Sequence, residues 1–409
     1  MRVAFVSGMK GYPWGGSEEL WSQAALELKN RGVKTFAYVN QFRPRHSKVS
    51  ELLSTGIRVV EGDPKRRSLG ERCQDVIRRN LFEKPNGSAT EPIRNRRCKL
   101  ALLEFQPDLV CISNGAIACG LEWMQWCLDH GLPYVTVCQA NSETCWPSDR
   151  DAQQLRHCYE NAEQCYFVSH RNRELFELQV GKRLENSEVV QNPIGVRIPD
   201  CPVKYPDDQI LRLACVGRLE PTAKGQDILL QALSLPQWRE RKFRLEFYGN
   251  GASSDGVKRM AELLGLRSRV QFRGHVSDIR TIWECSHALV LPSRYEGLPL
   301  AVVEAMACGR AAIVTDVAGN TEIVTDGDNG FVAESATVKH FAEALERAWQ
   351  ERKRLRAMGQ MAHQSIKERY TADPAVVFAD KLSARAKDVL VGSDEKYSPN
   401  QPEYALRSV

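Results

Sequence analysis

The chain has 409 residues, of which 26% are charged and 43% hydrophobic, with a net charge of +5. That balance is ordinary for a globular protein and excludes a low-complexity or collagen-like chain. The small positive charge argues against a dedicated nucleic-acid binder and is compatible with an anionic ligand. No run of eighteen apolar residues occurs, so no membrane-spanning helix is expected.

The first half alternates short apolar runs with amphipathic stretches. VAFVSG (3–8) reads as a buried strand, too short for a signal-peptide core, so a cytoplasmic location is the expectation. SEELWSQAALELKNRG (17–32) reads as a helix with Ser17 as N-cap and Gly32 as its stop. Strands are expected at 34–39, 57–62, 108–113, 134–139 and 164–170. Such alternation means a parallel sheet covered on both faces. The polar stretch 83–97 reads as a mobile surface loop, either a solvated insertion or an acceptor or membrane contact. The Trp-containing stretch LEWMQWCL (121–128) offers sugar-stacking faces or, at helical spacing, simply core. His157 and His170 read as structural.

NPIGVRIPDCPVKYPDD (192–208) holds four prolines and no helical period, as a domain linker would. A second alternating series follows, with strands expected at 211–217, 243–251, 269–275, 287–293, 311–316 and 330–333 and a helix at 226–233. Two helices, 338–359 and 360–369, should close this part, with an amphipathic helix at 375–391 and a polar, disordered tail from 392. The expected domains are 1–192, with 375–391 packing back on it, and 210–374, joined by a linker at 193–209. The chain has thirteen cysteines and no C-x-x-C pair. Cys111, Cys138, Cys215 and Cys308 lie in apolar runs, so neither a disulfide framework nor a zinc site is expected.

The most informative stretch is SRYEGLPLAVVEAMACG (293–309). HALVLPS supplies a strand, RYEGLP a loop, and LAVVEAMAC a helix that Pro299 opens and Gly309 ends. Helix N-termini at the carboxyl edge of a parallel sheet bind anions. Glu296 stands before this N-terminus and Glu304 more than a turn beyond it. A phosphate docked there would have one carboxylate on each side, and carboxylates accept hydrogen bonds from sugar hydroxyls. Glu304, flanked by Val303, Ala305, Met306 and Ala307, has little polar face on which to be a mere surface charge.

This stretch resembles the Glu-x7-Glu signature of retaining glycosyltransferases of family 4. MRVAFVSG–GYPWGGSEE, CVGRLEPTAKGQDILLQAL (215–233), FYGNG (247–251), VQFRGHVS (270–277) and VAGNTEIVTDGDNGFV (317–332) resemble further blocks of that family, in its order. The resemblance implies an α/β chain of the GT-B fold, two facing Rossmann-like domains with parallel sheets and an interdomain cleft. It implies a retaining, metal-independent transfer from a nucleotide-diphosphate sugar, most simply of UDP or GDP, to a hydroxyl acceptor. That acceptor would be a saccharide, a lipid-linked glycan or a small molecule.

Residue by residue, the resemblance puts Glu296 on the donor sugar and Glu304 on the ribose. Arg218 and Lys224 fall on the pyrophosphate, where two fixed cations would stabilise the leaving group. Gly15 and Gly16 would approach the phosphate, although such a pair is also an ordinary turn. His275 and Val276 would meet the base, and Leu298 would line the donor site. No D-x-D metal motif stands out, and no cofactor beyond the donor is expected. Many family members carry a histidine where this chain reads Gln139-Ala140-Asn141. Gln139 and Asn141 are the candidate donor-sugar contacts there, and no protein base is assigned. A non-catalytic nucleotide-sugar binder and a GT-B sugar-nucleotide epimerase are the rival readings. Arg66, Arg67, Arg78, Arg79 and the 94–97 run make the first domain locally basic, which would suit either solvation or peripheral contact with the inner membrane face.

Overall fold

A computed structural model describes residues 1–9, 13–62, 93–371 and 373–396, with backbone only at 93–96 and 392–396. Arg66, Arg67, Arg78, Arg79, positions 83–92 of the expected loop and the tail from 397 lie outside the described residues.

Apolar runs form most of the strands, and several of these are buried almost throughout, as a parallel sheet covered on both faces requires. Strands β1 (Arg2–Ser7), β2 (Lys34–Asn40), β3 (Arg58–Gly62), β4 (Leu109–Asn114), β5 (Tyr134–Cys138), β6 (Gln164–Phe167) and β7 (Ser187–Val189) make a seven-stranded sheet in the order β3-β2-β1-β4-β5-β6-β7. Strands β8 (Leu211–Val216), β9 (Phe243–Tyr248), β10 (Val270–Gly274), β11 (Ala288–Leu291), β12 (Ala311–Thr315) and β13 (Gly330–Ala333) make a six-stranded sheet in the order β10-β9-β8-β11-β12-β13. The pairings β1·β2, β1·β4, β8·β9, β11·β8 and β11·β12 are parallel. In each sheet the order runs outward from the first strand and then reverses to the other side, which defines a switch point at β1/β4 and at β8/β11.

By contact density the chain forms two compact units. One comprises Met1–Thr136, Asn161–Gln164 and Ala375 onward; the other comprises Val137–Glu160 and Cys165–Pro374.

Several boundaries differ from expectation for identifiable reasons. The first helix spans Gly16–Asn30 and is capped at Gly15, not Ser17, because the Glu18 N–H already closes a turn on the Gly15 carbonyl at 2.9 Å. Gly32 does end it, at φ +81°, and Val33 N–H bonds back to the Leu28 carbonyl at 3.0 Å. Positions 93–97 of the expected loop belong instead to a helix, Ile93–Phe105. Cys98, Ala101 and Leu102 are its buried stripe. Strand β7, only three half-buried residues, carries no apolar run and was not expected.

The helices near the end of the second unit are Val338–Gln350 and Leu355–Arg369. The break falls at 351–354, not at Gly359. Gly359 sits inside its helix because a Cβ there would lie 2.1 Å from the Gly309 carbonyl oxygen. The last helix, Pro374–Lys396, continues past Gly392. Arg31 pairs with Asp380 of that helix.

Trp123 and Trp126 are 2% and 8% exposed, so this Trp-containing helix is core and offers no stacking face to a sugar. Cys111, Cys215 and Cys308 are buried thiols; burial pushes Cys215 and Cys308 up to about 12, consistent with small inert hydrophobes.

Candidate functional site

The second sheet's switch point brings two loops together. The loop after β8 carries Gly217 to Gly225, and the loop after β11 carries Pro292 to Pro299. They meet backbone to backbone: a Cβ on Gly225 (φ +66°) would lie 1.9 Å from the Pro292 carbonyl oxygen. The Arg294 and Tyr295 N–H groups both donate to the Ala223 carbonyl, at 2.8 and 3.2 Å. The Arg294 guanidinium grips Asp227 with two bonds of 2.6 and 2.8 Å and also donates to the Pro221 carbonyl. Bidentate pairing of this kind fixes geometry as well as charge.

That scaffold sets Lys224 against Glu296. The Lys224 ammonium donates to Glu296 Oε1 at 2.6 Å, and the Ser293 hydroxyl donates to the same oxygen at 2.7 Å. The side chains are 17% and 7% exposed, so the pair is largely desolvated. An ammonium has three N–H donors, and this contact uses one. The Lys224 stem lies along Gly217 (φ +155°), the neighbour of Arg218. Arg218 is half-buried, and its Nε lies 3.4 Å from the Glu220 carboxylate. The two expected cations are therefore in one loop but have different carboxylate neighbours.

Glu304 sits on the helix Leu300–Ala307, which starts at Leu300 as expected, with Pro299 as its cap. Gly309 (φ +80°) ends it: Gly309 and Arg310 N–H groups return to the Met306 and Ala305 carbonyls, each at 2.9 Å. Glu304 is 6% exposed and its Oε1 accepts the Gly195 N–H at 2.8 Å. Burial pushes its carboxyl above the usual range, and the Gly195 bond opposes that push.

Leu298 is half-buried at the entry to this helix. His275, exposed, and Val276, half-buried against the core, follow β10 at the same carboxyl edge. The Gly249 N–H bonds the Gly274 carbonyl at 2.7 Å, tying the ends of β9 and β10 together.

The segment after β5 also reaches this region, within the same compact unit. Asn141 N–H meets the Glu296 carbonyl at 3.4 Å, and a Cβ on Gly297 would lie 1.9 Å from the Gln139 carbonyl oxygen. Asn141 is spent inside the fold: its Nδ2 donates to Gln179 Oε1 at 2.9 Å and its Oδ1 accepts the Ser142 N–H at 2.8 Å. Gln139 Oε1 accepts from Asn192 Nδ2 at 2.7 Å, and Gln139 Nε2 has no hydrogen-bond partner among the described residues. Sequence reasoning missed Asn192, Arg294 and Asp227; each acts through a partner distant in the chain, and spacing carries no trace of such a pairing.

Gly15 and Gly16 belong to the other unit, at the carboxyl end of β1. Gly15 has extended backbone, φ −162°, which any residue adopts, so its conformation makes no demand for glycine. Beside them Glu18 is buried, and its carboxyl accepts the Trp21 indole N–H at 3.0 Å. Burial lifts its pKa to about 7, against opposing bonds from Ser7 and Trp21. The folded state thus holds this proton more tightly than the unfolded chain. Stability from this group is full below about pH 4.5 and is lost as pH rises through about 7. Glu18→Gln is expected to remove that slope, gaining up to about 3 kcal/mol over the wild type at pH 8 and little at pH 5. Urea unfolding at the two pH values checks this, and an unchanged slope would contradict it.

Among the described residues, no group of three or more His, Cys, Asp or Glu is placed to hold a metal, and no helix is long and apolar enough to cross a membrane.

The family described as "Glycosyl transferases group 1" matches residues 204–365. EpsD of Bacillus subtilis (strain 168) is 33% identical over 161 residues, 39% of this chain and 42% of that protein. The D-inositol 3-phosphate glycosyltransferase of Mycobacterium leprae is 34% identical over 137 residues, 33% of this chain and 32% of the relative. The chain thus aligns with less than half the length of these curated relatives. Among solved structures, Anabaena HepE in complex with UDP and glucose superposes with a TM-score of 0.69 at 17% identity, over 93% of this chain and 99% of that one. Sucrose-phosphate synthase from Thermosynechococcus elongatus gives 0.70 at 16% identity, over 96% and 99%. These likenesses show the fold, two parallel-sheet Rossmann-like halves of the GT-B kind.

Proposed function

We propose that the chain is a retaining glycosyltransferase of family 4 character that moves a hexosyl group from a nucleotide-diphosphate sugar to a hydroxyl acceptor. The observation that carries this reading is the Lys224–Glu296 pair at the switch point of the second sheet, 2.6 Å apart and largely buried. Ligands bind at such points in open α/β sheets. The match of residues 204–365 to group 1 glycosyl transferases covers both partners.

In this reading the Lys224 ammonium directs its remaining N–H donors at the diphosphate while Glu296 holds it in place. Arg218 adds the second cation. Together they stabilise the negative charge that develops as the bond from the anomeric carbon to the phosphate oxygen breaks. The acceptor oxygen forms the new bond on the same face. Its proton passes to the departing phosphate oxygen, so the nucleoside diphosphate leaves and no protein base is required. Glu296 accepts hydrogen bonds from the sugar hydroxyls, and Glu304 accepts from the ribose. Leu298, His275 and Val276 flank the donor. The UDP seen with HepE favours uridine as the base. Polysaccharide, lipid-linked glycan or glycoside assembly in the cytoplasm is the setting that fits such a donor.

Thermal shift against UDP-, GDP-, ADP- and TDP-sugars tests the donor assignment. One base class should raise the melting temperature, and Glu304→Ala should abolish most of the rise. A rise of equal size in the variant would remove Glu304 from the ribose.

A further inference from the structure

The segment that follows β12, residues 316–322, packs on the Glu296 loop. Thr315, the last residue of β12, donates its hydroxyl to the Ser293 carbonyl at 2.6 Å, and the Ser293 hydroxyl in turn holds Glu296 Oε1. The Gly319 N–H donates to the Gly297 carbonyl at 2.9 Å. A Cβ on Gly319 would lie 2.8 Å from Leu298 Cδ1 and 3.0 Å from Ser169 Cβ, so three segments meet at this glycine.

Ser169 caps the helix His170–Val180, its hydroxyl accepting the Asn172 N–H at 3.3 Å. The N–H groups of His170 and Arg171, in the first turn, both donate to the Glu322 carboxylate, at 3.1 and 2.8 Å, one to each oxygen. The Arg171 guanidinium donates to Asp316 and, at 3.0 Å, to the Thr321 hydroxyl. In the same turn Asn172 Nδ2 meets the Glu296 carbonyl at 3.4 Å. These contacts close a ring: Glu322 to the helix, the helix to Glu296, Gly297 to Gly319, and Gly319 along the chain to Glu322. Every member lies within one compact unit.

The ring adds little to global stability, because the Arg171 and Asp316 side chains are 44% and 37% exposed and exposed pairs contribute little. Its effect falls on the Glu296 loop, two of whose carbonyls are links in it. We propose that Glu322 is a positioning residue for transfer, supported by Arg171: together they clasp the segment after β12 to the first turn of the helix and so fix the Glu296 loop. Glu322 acts through that loop and not on the reacting atoms. A carboxylate suits the task, since two oxygens match two N–H groups and its charge complements the positive end of the helix. This inference rests on the glycosyltransferase reading, in which Glu296 acts, and deepens it by naming what holds Glu296 in place.

The test separates kcat from binding and from folding. Wild type, Glu322→Gln, Glu322→Ala and Arg171→Gln are assayed with UDP-glucose, or with GDP-mannose if guanine gives the shift above, by release of nucleoside diphosphate in the presence of a panel of hydroxyl acceptors. Glu322→Gln keeps one acceptor oxygen and loses the charge. Its kcat should fall about 10-fold, within the range that small misplacements of reacting groups cost. Glu322→Ala should lose at least as much, and Arg171→Gln somewhat less. The affinity for UDP, or GDP, by calorimetry should stay within about twofold, and the melting temperature should fall by less than about 3 °C. A merely structural contact would lower the melting temperature and leave kcat alone. Should Glu322→Ala fail to fold, Glu322→Gln and Arg171→Gln carry the test. Folded variants with the kcat of wild type, or with the loss confined to nucleotide affinity, would overturn the clasp alone. A wild type that releases no nucleoside diphosphate from any donor would overturn the glycosyltransferase reading first, and this inference with it.

Discussion

Lys224→Met is expected to lower donor turnover by about 10²- to 10³-fold, the effect of removing one fixed electrostatic group at a developing charge. The lysine is half of an ion pair whose carboxylate is only 7% exposed. Methionine keeps the stem along Gly217 and deletes the charge. Two consequences then coincide: the diphosphate loses a cation, and Glu296 keeps its Ser293 bond but loses the partner that fixes its other contacts. Breaking one side of a desolvated pair is far more damaging than replacing both sides. The double variant Lys224→Met, Glu296→Gln should therefore be better folded than Lys224→Met alone while remaining inactive. Steady-state kinetics with the donor chosen by the nucleotide panel, alongside melting temperatures, checks both statements. A Lys224→Met enzyme within fivefold of wild type would contradict the assignment of this lysine to the leaving group.

Arg310→Lys is expected to destabilise the protein by about 3–5 kcal/mol, the range for breaking a buried charged network. The Arg310 side chain is fully buried, and burial lowers its pKa to about 10, which still leaves it charged at pH 7. Its guanidinium donates to the carbonyls of Ser286 at 2.7 Å, Trp283 at 2.8 Å, Cys308 at 2.9 Å and Gly309 at 3.1 Å, and also to that of Lys204. Its face lies 5.0 Å from the Tyr205 ring. One planar fork thus ties the segment Val203–Tyr205 to the end of the Glu304 helix. A lysine ammonium is a single point and cannot reach all these oxygens, so several carbonyls would be buried unpaired. The urea midpoint should fall with little change in the slope of the transition. A loss below about 1 kcal/mol would show that the segment is held by other means.

Much of the fold was legible because it rests on local signals. Burial on both faces of a parallel strand leaves an apolar run, as in Ala288–Leu291, and left-handed glycines such as Gly32 and Gly309 stop helices where the sequence says they should. Gly359 misled for the opposite reason: its demand is set by a carbonyl fifty residues away and has no local mark. The short β7 was invisible because three half-buried residues carry no period. At the site, residue types and local pattern pointed to Glu296 and Glu304, the family resemblance pointed to Lys224, and neither spacing nor chemistry foretold who pairs with whom. The expected division of labour, cations on phosphate and carboxylates on hydroxyls, leaves out the direct Lys224–Glu296 bond and the Gly195 N–H on Glu304. The first contact depends on how the loops after β8 and β11 meet, which Arg294 and Asp227 fix, and the second on where the 192–208 segment lies against the Glu304 helix.

The central claim is transfer from a nucleotide-diphosphate sugar with retention. Its most direct test is a proton NMR time course of the wild-type protein with each candidate donor and a panel of hydroxyl acceptors. Release of one nucleoside diphosphate is expected together with a first-formed product whose anomeric signal has the configuration of the donor. An inverted first product, or no consumption of any donor by a folded protein, would contradict it.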